Sequence, residues 1–150
     1  MGAHCLRWSS SCEPVSVIDS VAFYLDTSAA AKLVVAEPGS QALVSWCAGN
    51  AGEVVSSDLL RTELLRATRR VAPSLMGRAR QVLDAIVLLS LSALIFERAG
   101  DLAPNALRSL DALHLAAALE LGDDLDGIVT YDERLADAAR YHGVEVLTPM

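Results

Sequence analysis

Two aspartates are placed for chemistry by their flanks: Asp26 and Asp132 each follow a short apolar run and precede a helical stretch. In a parallel sheet both would stand at the carboxyl edge, where open α/β folds bind ligands. Asp is also a favoured helix N-cap, so capping is a complete alternative for each. Glu63 lies roughly 70° from the centre of the apolar stripe Leu60, Leu64, Ala67 and Val71, at about 100° per residue. It therefore borders a core, or else forms a surface pair with Arg66 that is worth little. Asp111 falls between Leu110 and Ala112 in the first turn of the most apolar helical stretch. Its charge suits a helix N-terminus there, yet a buried helix has few solvated positions, and a carboxylate on it needs a partner such as a metal ion or an arginine.

The elements that must position these acids can be traced by periodicity. Residues 21–25 form an apolar run that suits a buried strand, with Asp26, Thr27 and Ser28 as capping residues for a helix over 29–36. Pro38 and Gly39 punctuate before a second helix over 41–48, and residues 53–56 predict the next strand. Ser57 or Asp58 can cap the helix that carries Glu63. An amphipathic segment spans 74–88, and a third strand is expected within 89–94. Residues 109–121 predict a helix buried nearly all round and ended by Gly122. A strand over 127–131, a helix from Asp132 to about Tyr141 and a last strand within 144–147 complete the chain. Strands alternating with helices imply an α/β fold of three layers, a short parallel sheet with helices on both faces.

Composition narrows what such a domain can be. A length of 150 residues accommodates one core. A hydrophobic fraction of 53% with only 5% aromatics indicates packing by Leu, Ala and Val. Residues 1–20 lack periodicity and read as a flexible N-terminal extension to a domain over 21–150. No apolar run approaches the roughly 18 residues of a membrane-spanning helix, so a soluble protein is expected. Cys5, Cys12 and Cys47 are odd in number and lack a CxxC pair, which favours a reducing cytoplasm over a disulfide scaffold or a zinc cage. The formal net charge of −7 argues against a broad basic surface for duplex DNA. It does not argue against a nuclease, because carboxylates that ligate a cation are counted in the tally without it.

The segments Phe23 to Ser28, the Glu63 helix, Leu107 to His114, and Val129 to Asp132 together resemble PIN domains, in particular the VapC toxins of bacterial toxin–antitoxin pairs. The order of the segments matches, and the resemblance extends from about Val21 to Pro149. It implies an endoribonuclease dependent on Mg²⁺ or Mn²⁺, in which Asp26, Glu63, Asp111 and Asp132 hold the metal. Ser28 and Thr130 would be supporting hydroxyls nearby. It also implies an RNA substrate, a cognate antitoxin protein and a homodimer. Oxygen donors suit hard divalent ions, which makes the four acids chemically consistent with that role.

Other residues carry competing readings. Arg61, Arg66, Arg69, Arg70, Arg78 and Arg80 gather half of the 12 basic residues near Glu63. They are a solvated helix face or a strip that contacts RNA, with Arg66, Arg69 and Arg70 the candidates. His114 shares a helical face with Asp111 and either orients it or packs in the core. His4 and His142 have no evident partner. Cys47 reads as a small buried apolar residue, and Asp123, Asp124 and Asp126 as a solvated turn, since the spacing of an EF-hand is missing. Two rivals remain at this level. One is a PIN-fold partner-binding module without significant nuclease activity. The other is phosphotransfer on a haloacid-dehalogenase-like sheet, disfavoured because Ser28 stands where a second Asp is expected.

Overall fold

In the computed structural model, which describes residues 21–150, alternating strands and helices build one parallel sheet. The expectation for residues 1–20 lies outside the described residues. The chain runs through β1 (Ala22–Leu25), α1 (Thr27–Val34), α2 (Ser40–Gly49), β2 (Val54–Ser57) and α3 (Asp58–Val71). After a 3₁₀ turn come α4 (Met76–Asp84), β3 (Val87–Leu89), α5 (Ala93–Asp101) and α6 (Ser109–Leu119). A second short turn leads to β4 (Leu125–Val129), α7 (Glu133–Tyr141) and β5 (Val146–Leu147).

The strand order is β3-β2-β1-β4-β5, with every neighbouring pair parallel. The chain leaves β1 toward β2 and β3 on one side, then returns to place β4 and β5 on the other. The carboxyl ends of β1 and β4 therefore flank a topological switch point, the crevice where ligands bind in open α/β sheets. Alternation of side chains along each strand feeds two cores. Tyr24 and Ile128 face one layer with Ile95, Ala99, Leu115 and Leu135, supplied by α5, α6 and α7. Leu25 and Val129 face the other with Ala29, Leu43, Leu60, Leu64 and Leu83, supplied by α1 to α4. At Gly127 a Cβ would come within 2.3 Å of Leu147 Cδ1 and 3.2 Å of Glu145 O, so a larger residue there would have to displace the Leu147 side chain.

Several expectations need correction. The third strand is Val87–Leu89 rather than a segment of 89–94. Ser92 instead caps α5, its hydroxyl accepting from Ile95 N. Helix α5 itself was not anticipated, although a Ser cap followed by Ile95 and Ala99 one turn apart is its local signature. On α3 the buried stripe is Leu60, Leu64 and Thr68, while Val71 at the frayed end is 73% exposed. His142, which had no evident partner, places Nε2 2.7 Å from the carbonyl oxygen of Ala103.

Candidate active site at the carboxyl edge

Asp26 leaves the end of β1 and is only 3% exposed. Its Oδ1 accepts from the backbone N–H of Ala29 at 3.0 Å and from the hydroxyl of Ser28 at 2.7 Å, while Oδ2 accepts from Thr130 Oγ1 at 2.7 Å. The capping role is thus present, and it does not preclude a site role for the same side chain. Burial pushes its carboxyl above the ordinary aspartate value, against the pull of those hydrogen bonds and of His114.

The turn after β4 is tied to the turn after β1 by the same hydroxyls. Thr130 Oγ1 accepts from Asp132 N at 3.0 Å, and Ser28 Oγ accepts from Tyr131 N at 2.9 Å. Both hydroxyls selected from sequence stand at the buried acid. Asp132 Oδ1 in turn accepts from Arg134 N and Leu135 N at the start of α7.

Glu63 is brought in from α3, and its partner is not Arg66. Thr27 Oγ1 donates to Glu63 Oε2 at 2.7 Å, and His114 Nε2 lies 3.1 Å from Oε1. Burial alone would raise the Glu63 carboxyl, but hydrogen bonding and charge from His114 and the Thr27 bond together hold it below the usual glutamate range. His114 is buried, as its packed reading has it, and meets Glu63 rather than orienting Asp111. Tyr24 and Thr27 were not singled out from sequence. The available signals were a tyrosine hydroxyl in a buried strand, which must find a partner, and a threonine between two polar residues at a strand end.

Asp111 is half-buried on α6, and no hydrogen bond or ion pair to it is found among the described residues. Its carboxyl is raised first by burial and next by the charge of Asp132; Asp26 and Glu63 add to this, and His114 opposes it. Asp111 thus feels the charge of the other three acids. Among the described residues no three His, Cys, Asp or Glu side chains are already drawn together as a metal cluster.

The chain matches the PIN domain family over residues 23–141, most of its length. The chain belongs to the PIN-domain family. This PIN domain is 42% identical over 128 residues to Ribonuclease VapC46 of Mycobacterium tuberculosis, an alignment covering 85% of this chain and 98% of that protein. It is 38% identical over 130 residues to Ribonuclease VapC47 of the same species, covering 84% and 96%. The crystal structure of M. tuberculosis VapC20, described as a toxin that cleaves the sarcin-ricin loop, superposes with a TM-score of 0.67 at 15% identity. That superposition covers 78% of this chain and 95% of the other, and it supports the three-layer fold.

Around the acids of this PIN domain, Arg66, Arg69 and Arg70 are all exposed on α3. At about 100° per residue, Arg70 and Arg66 fall within roughly 20° and 60° of Glu63, whereas Arg69 is turned away by about 120°. An apolar hollow of about 340 Å³ is lined by Leu33, Val44, Cys47, Val82 and Ile86, among others, and by none of the four acids. Burial pushes the Cys47 thiol upward, which suits an inert packing residue. No helix among the described residues is long and apolar enough to cross a membrane.

Proposed function

We propose that this chain is a metal-dependent endoribonuclease that acts as the toxin of a toxin–antitoxin pair. The observation that carries the reading is the match to the PIN family and to VapC ribonucleases over most of the chain; beside it, Asp111 is half-buried without a hydrogen-bond partner among the described residues, its carboxyl raised first by burial and then by Asp132. Such a group is stabilised by a cation, and a set of carboxylate oxygens is the donor chemistry that Mg²⁺ and Mn²⁺ take. The VapC ribonucleases to which the chain is similar support the RNA substrate and the antitoxin partner.

Asp26, Glu63, Asp111 and Asp132 would hold the metal, which supplies, when bound, an acidified water and neutralisation of the scissile phosphate. Ser28 and Thr130 orient Asp26 and counter part of the effect of its burial. Asp132 keeps its backbone anchored at the head of α7, and Arg66 and Arg70 can meet RNA phosphates on the Glu63 side of α3. We further propose a homodimer in the cytoplasm, held in check by an antitoxin segment that inserts Arg or Lys among the acids. A cationic side chain there gains charge-assisted hydrogen bonds and stands in for the metal electrostatically.

The test is RNA cleavage by purified full-length protein with Mg²⁺, with Mn²⁺ and with chelator, followed by sequencing of the new RNA ends. Cleavage at defined positions that chelator abolishes is the expected result. A folded protein that cuts no RNA with either metal would leave the partner-binding module as the better account.

A further inference from the structure

Behind Glu63 lies a buried chain of polar groups that the proposed reaction does not itself require. His114 is 2% exposed on α6, a helix whose other buried residues are Ala112 and Leu115 to Ala118. Its Nδ1 lies 2.8 Å from the Tyr24 hydroxyl, and that hydroxyl also lies 2.9 Å from Ser57 Oγ. On the other side of the ring, Nε2 lies 3.1 Å from Glu63 Oε1 and 3.2 Å from Thr27 Oγ1.

The proton on Nε2 can be assigned from its neighbours. Thr27 spends its own proton on Glu63 Oε2, so Nε2 faces a carboxylate oxygen and a hydroxyl oxygen, both acceptors. Nε2 must therefore carry hydrogen. The ring cannot turn away without breaking its bond to Tyr24, and Tyr24 is fully buried on the central strand. The chain Ser57, Tyr24, His114, Glu63 thus links the ends of β2 and β1 through α6 to an acid on α3. Each Glu63 oxygen accepts one bond from this side, and a carboxylate oxygen retains a further lone pair for another partner.

We infer that His114 is a positioning residue, which, locked by Tyr24, holds the Glu63 carboxylate ready for a divalent cation. The inference rests on the proposed four-acid metal site. Hydrogen-bonding partners behind ligating groups are typically worth about tenfold to a hundredfold in metal affinity.

The experiment measures Mn²⁺ binding by titration calorimetry and RNA cleavage on the full chain, for wild type and for His114→Leu, His114→Gln and Tyr24→Phe. Circular dichroism and thermal melts in chelator accompany each. His114→Leu is expected to weaken Mn²⁺ binding by about tenfold or more. His114→Gln, whose amide nitrogen can donate from near the Nε2 position, should recover much of that loss. Tyr24→Phe removes one buried oxygen and should weaken binding by a smaller factor of roughly three, which keeps the inference testable if His114→Leu does not fold. A packing role alone would change the melts and leave Mn²⁺ affinity of the folded protein untouched. Folded His114→Leu or Tyr24→Phe with wild-type Mn²⁺ affinity overturns the inference and leaves the nuclease reading intact. Wild-type protein that neither binds Mn²⁺ nor cuts RNA overturns both.

Discussion

Asp26 and Glu63 are gripped on both carboxylate oxygens, by Ser28, Ala29 and Thr130 in one case and by Thr27 and His114 in the other. Asp132 uses one oxygen, Oδ1, to cap α7, and Asp111 is left with burial and like charge. One half of the acidic rim is organised by folding. In the other half, Asp111 carries burial and like charge that only His114 counters in part. Hydrogen bonds to charged groups contribute roughly 1.5–3 kcal/mol each, so the bonds to Asp26 offset part of the cost of burying its charge. No such compensation reaches Asp111, so a cation would act most strongly where the protein supplies least.

The largest expected effect breaks the gripped half. Asp26→Asn should lower RNA cleavage by at least about a hundredfold, a greater loss than removal of a group behind a ligand. Asparagine is an equally good N-cap, so α1 should persist, but its amide NH2 faces a hydroxyl that now donates to Asp26, and a loss of about 1–3 kcal/mol is expected. Cleavage assays beside chemical unfolding curves check both halves of that statement. Near-normal cleavage by the purified variant would falsify the assignment of Asp26.

The next effect sharpens the contrast with Asp111. Binding to the folded state alone stabilises by about 2.7 kcal/mol when free metal exceeds Kd a hundredfold. Thermal melts at fixed ionic strength should show Asp111→Asn as stable as wild type or more so in chelator, with a smaller gain on adding Mg²⁺ or Mn²⁺. Asp123→Asn, in an exposed turn, is the control and should keep the full gain. pH gives an independent check. A raised carboxyl opposes the metal-free fold once it ionises, and the penalty disappears as pH falls through the raised value toward the ordinary 3.8. The stability advantage of Asp111→Asn in chelator should therefore shrink on acidification. An equal metal response in wild type and Asp111→Asn would remove Asp111 from the site.

Two smaller effects test the frame around the acids. Thr130→Val keeps the side-chain shape but leaves Asp26 Oδ2 and Asp132 N without their partner. A loss of roughly 2 kcal/mol in urea unfolding is expected, since unsatisfied buried groups cost about 1–3 kcal/mol each. Smallest of all, Arg66→Ala with Arg70→Ala should weaken RNA binding and flatten its salt dependence by about 0.7 in slope for each phosphate no longer neutralised. Arg69→Ala, on the face turned from Glu63, should change that slope least. A reversed order would move the RNA path off the Glu63 side of α3.

Much of this frame was legible in the chain. A continuous apolar run marked β1, and the shorter pairs Val54-Val55 and Ile128-Val129 marked β2 and β4, because strands buried on both faces in a parallel sheet favour such residues. Asp26 and Asp132 were legible as strand-end caps, and the capping bonds are present. The stretch from 87 to 101 was misread, since three-residue strands and short helices with mixed apolar patterns give nearly the same local signal. Leu89 ends β3, but Ser90, Leu91 and Ser92 continue the apolar alternation before the α5 cap.

By itself the sequence determined which atoms were available: carboxylates at two strand ends and on two helices, hydroxyls beside them, and apolar periodicity sufficient for three layers. Those are local properties, set by spacing along a few turns. Only the tertiary structure decided that Thr130 belongs to Asp26 across 104 residues, and that His114 turns from Asp111 on its own helix to Glu63 on another. Periodicity gives a side chain's angle about its own helix axis, but a hydrogen-bond partner depends on where a second element packs. The parallel pairing of β1 with β4 sets that placement for Asp26, and the fully buried Tyr24 hydroxyl sets it for His114.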